Sequence, residues 1–152
     1  MINTTLCYIE KDGCFLMLYR NKKKNDLNEG KWVGIGGKQI PGESIEECLL
    51  REIKEECNLK LDSYTFRGVV LFVSDRCEDE EMYLYTAETH DQLAMENDEG
   101  EMRWIPVEEV PTLPLWEGDR IFFDLIARNA PEFELLLRYE GDTLVEHSGL
   151  TK

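Results

Sequence analysis

Alternating apolar and polar residues indicate short β-strands along most of the chain. Residues 4–10 and 14–19 are rich in β-branched and aromatic side chains, and Lys11-Asp12-Gly13 between them predicts a hairpin turn. The same pattern predicts further strands at residues 32–36, 65–74, 82–87, 102–107, 132–139 and 143–147. Polar or proline-bounded segments connect these strands: a Lys/Asn-rich loop at 20–30, an acidic turn at 75–81, an irregular stretch at 90–100 and a loop at 108–114.

A helical periodicity replaces the alternation after the Pro41-Gly42 turn. Ser44 followed by Glu47 predicts a capping box, in which each residue satisfies a free amide at the start of a helix. Asn58 is a suitable stop, because asparagine enters the left-handed region more readily than most residues. At about 100° per residue, one arc of this helix is apolar and is predicted to face the core. It consists of Leu49, Leu50, Ile53 and Cys57.

A second amphipathic segment, residues 116–129, ends before Pro131 and predicts another helix. Its polar stripe consists of Glu117, Arg120, Asp124 and Arg128. Strands combined with two well-separated helices predict an α/β fold, with a sheet covered by helices. The length of 152 residues suits one domain, residues 1–152, with a substantial core.

Charge narrows the range of ligands. Seventeen basic and thirty-two acidic residues leave a net charge of −15, which disfavours polymeric nucleic acid and anionic membranes and favours a small phosphate ligand carried with a bridging metal. In the 20–30 loop, Lys22, Lys23 and Lys24 are positioned to meet phosphate. Five scattered cysteines, without a basic and apolar leader or a membrane-length apolar run, are typical of a cytoplasmic protein with reduced thiols. A monomer and a homodimer both remain open.

Glu52, Glu55 and Glu56 share another arc of the first helix, at i,i+3 and i,i+4 spacings. Like charges at these spacings cost about 0.2–0.5 kcal/mol per pair, and they lie where the helix dipole favours cations. Three carboxylates converging on one point would suit a hard divalent cation, Mg²⁺ or Mn²⁺. The alternative is a solvated acidic face in an acidic protein.

The glycine loop and helix together resemble the Nudix box over residues 37–59. The matching pattern is Gly37, five residues, Glu43, seven residues, and then Arg51-Glu52-Ile53-Lys54-Glu55-Glu56-Cys57-Asn58-Leu59, with Asn58 in place of the usual glycine. The resemblance implies the Nudix-type α/β/α sandwich with a mixed β-sheet between helices, and hydrolysis of a phosphoric anhydride bond. It also implies that Glu52, Glu55 and Glu56 hold Mg²⁺ and that Arg51 pairs with Glu43. Gly36, Gly37 and Lys38 would contact metal or phosphate.

Asp119 lies on the apolar side of the second helix, close in sequence to Trp116. Its carboxylate either bonds free amides at the helix start or reads the polar edge of a purine that stacks on the indole. The order of elements and Glu101-Met102-Arg103 resemble the MutT-like oxidised-purine nucleoside triphosphatases. This resemblance implies a base pocket of Trp116, Phe72 and Leu27 with Asp119 reading the base. Glu101 would lie near the metals, as a ligand or as the base, and Glu56 is the alternative base.

Two positions depart from that family pattern. Val33, on the wall of the implied base pocket, replaces an asparagine, and Gly118 replaces a second aspartate beside Asp119. Purine preference is therefore expected to survive, while strict selection of the 8-oxo form is expected to weaken. The implied reaction releases nucleoside monophosphate and pyrophosphate. The alternatives are hydrolysis of ADP-ribose or a dinucleotide polyphosphate, a non-catalytic nucleotide-binding module, and an acidic protein that recruits basic partners.

Overall fold

The computed structural model describes residues 1–22 and 25–151, and within them the strands form one mixed nine-stranded sheet. The strands are β1 (Ile2–Lys11), β2 (Cys14–Arg20), β3 (Trp32–Val33), β4 (Ile35–Lys38), β5 (Ser63–Ser74), β6 (Cys77–Glu88), β7 (Gly100–Pro106), β8 (Phe133–Glu140) and β9 (Thr143–Thr151). The helices are α1 (Ile45–Glu56) and α2 (Asp119–Ala127), with a 3₁₀ helix at Val107–Thr112. In the described part of the chain, neither α-helix has the length and apolar content needed to cross a membrane.

Strand β1 organises the sheet, whose order is β3-β2-β1-β6-β5-β8-β9. It runs parallel to β6 and pairs antiparallel with β2 through its last two residues. The first half of β1, Thr4 to Cys7, pairs with β4 instead. The glycines of β4 therefore lie against the middle of the sheet, and the chain passes from them directly towards α1.

Alternation along β1 separates two cores, one on each face of the sheet. Cys7 and Ile9 are buried beneath α1. Tyr8 points to the opposite face, where its ring lies 5.9 Å from that of Phe122 and 4.7 Å from that of Phe123 in α2. A sheet with one helix packed on each face is an α/β/α sandwich, which confirms the predicted fold class.

Several boundaries differ from the sequence prediction, such as the predicted strand at 32–36, which is two strands, β3 and β4. The acidic segment predicted as a turn over residues 75–81 is mostly strand, because β6 begins at Cys77 and pairs with both β1 and β5. The segment predicted as a loop over residues 108–114 is largely the 3₁₀ helix. The second helix begins at Asp119 instead of residue 116, because the Gly118 amide donates to the Tyr139 hydroxyl at 2.8 Å and Trp116 stays in the preceding turn.

Candidate active site

Short-range sequence features determine the backbone between β4 and α1 and at the end of α1. The amide of Glu47 donates to Ser44 Oγ at 3.0 Å and the amide of Ser44 donates to Glu47 Oε1 at 2.9 Å, which confirms the predicted capping box. Gly42 has a φ of +86°, a conformation that L side chains rarely adopt, so the turn before the helix requires glycine. Asn58 has a φ of +50° just after the helix, as predicted.

The buried face of α1 is rotated from the predicted one. Cys48, Leu49 and Ile53 are buried, whereas Leu50 is 42% exposed, so the placement of Leu50 in the core is wrong. The reason is that β4 packs against the side of the helix that carries Glu52 and Glu56. Their carboxylates are thereby drawn into a half-buried position between helix and strand.

Arg51 donates hydrogen bonds to the carboxylates of three glutamates at the first helix. Its Nε and Nη2 donate to the two oxygens of Glu43 at 2.9 and 2.8 Å, confirming the predicted clamp between loop and helix. This contact lowers the pKa of Glu43 to about 2. The same guanidinium donates to Glu52 Oε1 at 2.9 Å and to Glu55 Oε2 at 3.1 Å. The repulsion expected among the glutamates is thus already reduced within the protein by an arginine.

The three glutamates do not converge on one point, contrary to the prediction. Glu55 turns towards Arg51 and solvent, with a 59% exposed side chain, while Glu56 turns inward and accepts a hydrogen bond from the Gly36 amide at 2.9 Å. Within residues 1–22 and 25–151, no three His, Cys, Asp or Glu side chains are grouped as a metal site. The assignment of Glu52, Glu55 and Glu56 as metal ligands stays a prediction.

Glu52 and Glu56 nevertheless lie close enough for the charge of one to disfavour ionisation of the other. Burial raises the pKa of Glu56 to about 8, and the neighbouring charge of Glu52 adds to the effect. Burial also raises the pKa of Glu52, despite its contact with Arg51. The Glu52 carboxylate lies against Gly37, where an added Cβ would stand 2.4 Å from Oε1. A side chain at position 37 would therefore displace this carboxylate.

Glu101 pairs with a neighbour on its own strand. Its side chain is 46% exposed and accepts from Arg103 at 2.8 Å on β7, and its role near the metals stays a prediction. The acidic residue whose charge reaches both Glu52 and Glu56 is Glu99, which also pairs with Arg20 at 2.7 Å. Glu99 lies in the stretch predicted to be irregular, and no local pattern marks it. The proximity of Glu99 to Glu52 and Glu56 depends on the pairing of β7 with β2.

A pocket of about 230 Å³ adjoins the carboxylates. Its wall includes all the residues expected to bind substrate: Gly36, Gly37, Lys38, Leu27, Val33, Phe72, Trp116 and Asp119. Gly36 bonds Glu56 and Gly37 lies against Glu52, and both glycines also line the pocket. The pocket and the carboxylates therefore share one wall. A ligand with a ring at one end and a chain of phosphates at the other can reach both regions.

Trp116 is fixed on several sides at the pocket wall. Its ring lies edge-on to Phe72 at 5.2 Å and to Tyr139 at 4.8 Å. Lys31 Nζ lies 4.3 Å from the ring centroid, a cation–π distance. The indole Nε1 donates to Asn28 Oδ1 at 2.7 Å. The orientation of the indole is thus set before any ligand binds.

Asp119 is 6% exposed and lines the same pocket. Its carboxyl group forms no hydrogen bond with the described residues, so it does not cap the helix as one interpretation of the sequence proposed. Burial raises its pKa to about 8, although the charges of Arg120 and Lys31 oppose the shift. A buried carboxyl group without a protein partner is available to a ligand in the pocket.

Packing explains why position 118, beside Asp119, is a glycine. An added Cβ at Gly118 would lie 2.6 Å from Leu137 Cδ1 and 2.7 Å from the Tyr139 hydroxyl. Tyr139 thus occupies the space that a side chain at position 118 would need. The single aspartate at this end of the pocket is enforced by packing.

Several polar residues of the wall were not predicted from the sequence, among them Glu80 and Asn28. Glu80 was assigned to an acidic turn, but β6 directs it inward, where Thr4 Oγ1 donates to Glu80 Oε2 at 3.2 Å and burial raises its pKa. Period-2 alternation with Met82 could have indicated this orientation. Asn28 lies in a loop, where no periodic pattern predicts the direction of a side chain.

Comparison with known proteins places this geometry in a family. A family model described as NUDIX domain matches residues 3–126. An oxidized purine nucleoside triphosphate hydrolase from Danio rerio is 29% identical over 145 residues, covering 94% of this chain and 90% of that protein. Its namesake from Mus musculus is 27% identical over 127 residues, covering 83% and 81%. A MutT protein from Bacillus halodurans shares the fold, with a TM-score of 0.85 at 23% identity and coverage of 98% and 97%. The chain belongs to the NUDIX family and is a hydrolase that acts on pyrophosphate bonds.

Proposed function

We propose that the protein hydrolyses purine nucleoside triphosphates, including oxidised forms such as 8-oxo-dGTP, to the nucleoside monophosphate and pyrophosphate. The observation that supports this most directly is the shared wall of Gly36 and Gly37, which connects an aromatic pocket to a pair of half-buried carboxylates. The two named vertebrate relatives are oxidized purine nucleoside triphosphate hydrolases, and this agrees with the proposal.

The pocket suits a purine better than a sugar or an aliphatic group. Trp116 and Phe72 supply aromatic surfaces, Leu27 and Val33 supply apolar walls, and Asp119 supplies a carboxyl group for the polar edge of the base. Position 33 offers no hydrogen-bonding side chain. A site with fewer polar anchors discriminates less between related bases, so oxidised and ordinary purines are expected to be accepted within a narrow range of kcat/KM.

Nudix hydrolases generally use divalent metal ions, and the oxygen donors here suit Mg²⁺, with Mn²⁺ as a substitute. Glu52 and Glu56, with Glu55 and the backbone of Gly37, would hold the ion. When bound, it neutralises phosphate oxygens and lowers the pKa of a bound water. Burial and the charge of Glu52 raise the pKa of Glu56, and a cation bound beside it would favour the ionised carboxylate.

Basic groups at the mouth of the site would orient the phosphates. Lys38 and Arg20 both line the pocket, and the charge of Arg20 reaches Glu56. Lys22 Nζ donates to the Asn97 carbonyl at 3.1 Å. Lys23 and Lys24, also expected to meet phosphate, lie outside the described residues. The proton acceptor for the attacking water is Glu56 or Glu101, as the family resemblance implies, or Glu99.

The test is a substrate panel with separated products. The wild-type protein and Glu56→Gln are assayed with Mg²⁺ on dGTP, 8-oxo-dGTP, dATP, 2-hydroxy-dATP, ADP-ribose and a dinucleotide polyphosphate. The proposal predicts pyrophosphate from the purine triphosphates and its loss in Glu56→Gln, with normal activity in the exposed control Glu108→Gln. Release of AMP and ribose phosphate from ADP-ribose as the dominant reaction would overturn it. Binding of nucleotides without turnover would indicate a non-catalytic module.

A further inference from the structure

Asn28 presents a hydrogen-bond donor to the pocket. The Asn28 side chain lines the pocket, and its Oδ1 accepts the indole N–H of Trp116 at 2.7 Å. An indole nitrogen only donates, so the oxygen of the amide must face Trp116 and the NH₂ group must point away from it. Among the described residues, no acceptor contacts this NH₂ group. The orientation of the amide is therefore fixed, and its two N–H donors remain available.

The loop that carries Asn28 is itself held in place. The Asn28 amide donates to Asp26 Oδ1 at 3.2 Å, and Asp26 is paired with Arg20 at 2.7 Å. The Asn28 carbonyl accepts from the Lys31 amide at 2.9 Å. Backbone and side chain are thus both anchored, so the NH₂ group is presented in one direction without ordering on ligand binding.

The other groups on the pocket wall determine what the Asn28 donor can distinguish in a bound base. Val33 is apolar. Asp119 and Glu80 accept when ionised and both donate and accept when protonated, whereas the amide of Asn28 donates at any pH. Asn28 is the neutral amide among the pocket residues, and it lies beside the indole on which a base would stack. A purine with a carbonyl at the edge facing Asn28 gains a hydrogen bond, whereas one with an amino group there meets a second donor. Guanine-type bases present an oxygen at C6 and adenine presents an NH₂ group.

We propose that Asn28 determines specificity by donating from Nδ2 to the carbonyl oxygen of a 6-oxopurine, so that the site prefers guanine-type over adenine-type triphosphates. This inference rests on the proposed function. It assigns base selection to a loop residue whose orientation is set by Trp116. The acceptor side of the amide is already occupied by the indole, so a substrate meets only its donor side.

The test compares variants of Asn28 by their ratio of kcat/KM for dGTP to that for dATP. Asn28→Asp keeps the oxygen that receives the Trp116 N–H and replaces the donor with an acceptor. Its added charge repels both triphosphates equally, so it cancels in the ratio. The ratio is expected to fall at least about tenfold in Asn28→Asp, and about five- to tenfold in Asn28→Ala, which deletes the donor together with the oxygen that receives the Trp116 N–H. Asn25→Asp makes the same charge change at an exposed position of the loop and should leave the ratio unchanged.

The outcomes separate this inference from the proposed function. If the wild-type protein turns over purine triphosphates and both Asn28 variants keep its ratio, the role of Asn28 is refuted while the proposed function stands. If the wild-type protein turns over neither nucleotide, the proposed function fails. Binding of dGMP and dAMP to the wild-type protein and the variants, measured by titration calorimetry, then tests Asn28 independently of turnover. Equal preference in all three proteins would again refute its role.

Discussion

Asp119→Asn tests the prediction that the pocket holds a carboxyl group with a strongly raised pKa. Burial raises the pKa of Asp119 from 3.8 to about 8, so the folded protein retains a proton that the unfolded chain releases near pH 4. Because the folded-state pKa is the higher one, the stabilisation from proton binding is complete below about pH 4 and is lost as pH rises towards 8. Asparagine has nearly the same shape and does not titrate.

The size of the stability change follows from the pH interval between the unfolded-state and folded-state pKa values of Asp119. Between about pH 5.5 and 7.5, each pH unit lowers the free energy of unfolding of the wild-type protein by up to about 1.4 kcal/mol through Asp119. The stability difference should therefore shift in favour of Asp119→Asn by up to about 2.7 kcal/mol over that range. Other titrating groups, such as Glu56, are common to both proteins and cancel in the difference.

Urea unfolding followed by circular dichroism at both pH values measures this difference by linear extrapolation. Asp124→Asn is the matched control, because Asp124 lies in the same helix with a 68% exposed side chain, and its stability difference should not vary with pH. A difference between Asp119→Asn and the wild-type protein that is the same at both pH values would refute the reasoning. Loss of turnover in Asp119→Asn together with higher stability would show that the protein retains the carboxyl group of Asp119 for function.

Three further substitutions test the loop and helix. Gly37→Ala would place Cβ 2.4 Å from Glu52 Oε1, so kcat should fall at least about tenfold with a thermal midpoint within a few degrees of wild type; unchanged kcat would show that the carboxylate is free to move. Arg51→Lys keeps the charge but loses the two-pronged contact with Glu43, so calorimetry should record a lower midpoint and kinetics at least about a tenfold loss. Glu56→Gln should abolish turnover with an unchanged or higher thermal midpoint, because it replaces a half-buried carboxyl group whose ionisation is disfavoured by burial; retained turnover would show that Glu56 does not take part in catalysis.

The sequence predicted the parts of the site that local chemistry determines. The capping box of Ser44 and Glu47 and the left-handed Asn58 depend on neighbouring residues, and both are present in the structure. Spacing in the chain is sufficient information for these two features. The pairing of Arg51 with Glu43, which the family resemblance implied, is also present.

Features set by tertiary packing were not predicted. Leu50 belongs to an apolar arc, but β4 covers a neighbouring arc of the helix and leaves Leu50 exposed. Glu55 is drawn to Arg51 and away from Glu56, because an arginine on the same helix competes for the carboxylate. Glu99 approaches the site only because β7 pairs with β2. The positions of Leu50 and Glu99 depend on partners distant in sequence, whereas that of Glu55 depends on a competing contact within the same helix.

The most direct test of the account is product stoichiometry with dGTP and Mg²⁺, resolved by anion-exchange chromatography. If the aromatic pocket and the carboxylates on their shared wall form one site, the wild-type protein will release dGMP and pyrophosphate in equal amounts. Product release will stop when the metal is chelated and in Glu56→Gln. Release of inorganic phosphate with dGDP, or equal turnover in the presence of chelator, would contradict the account.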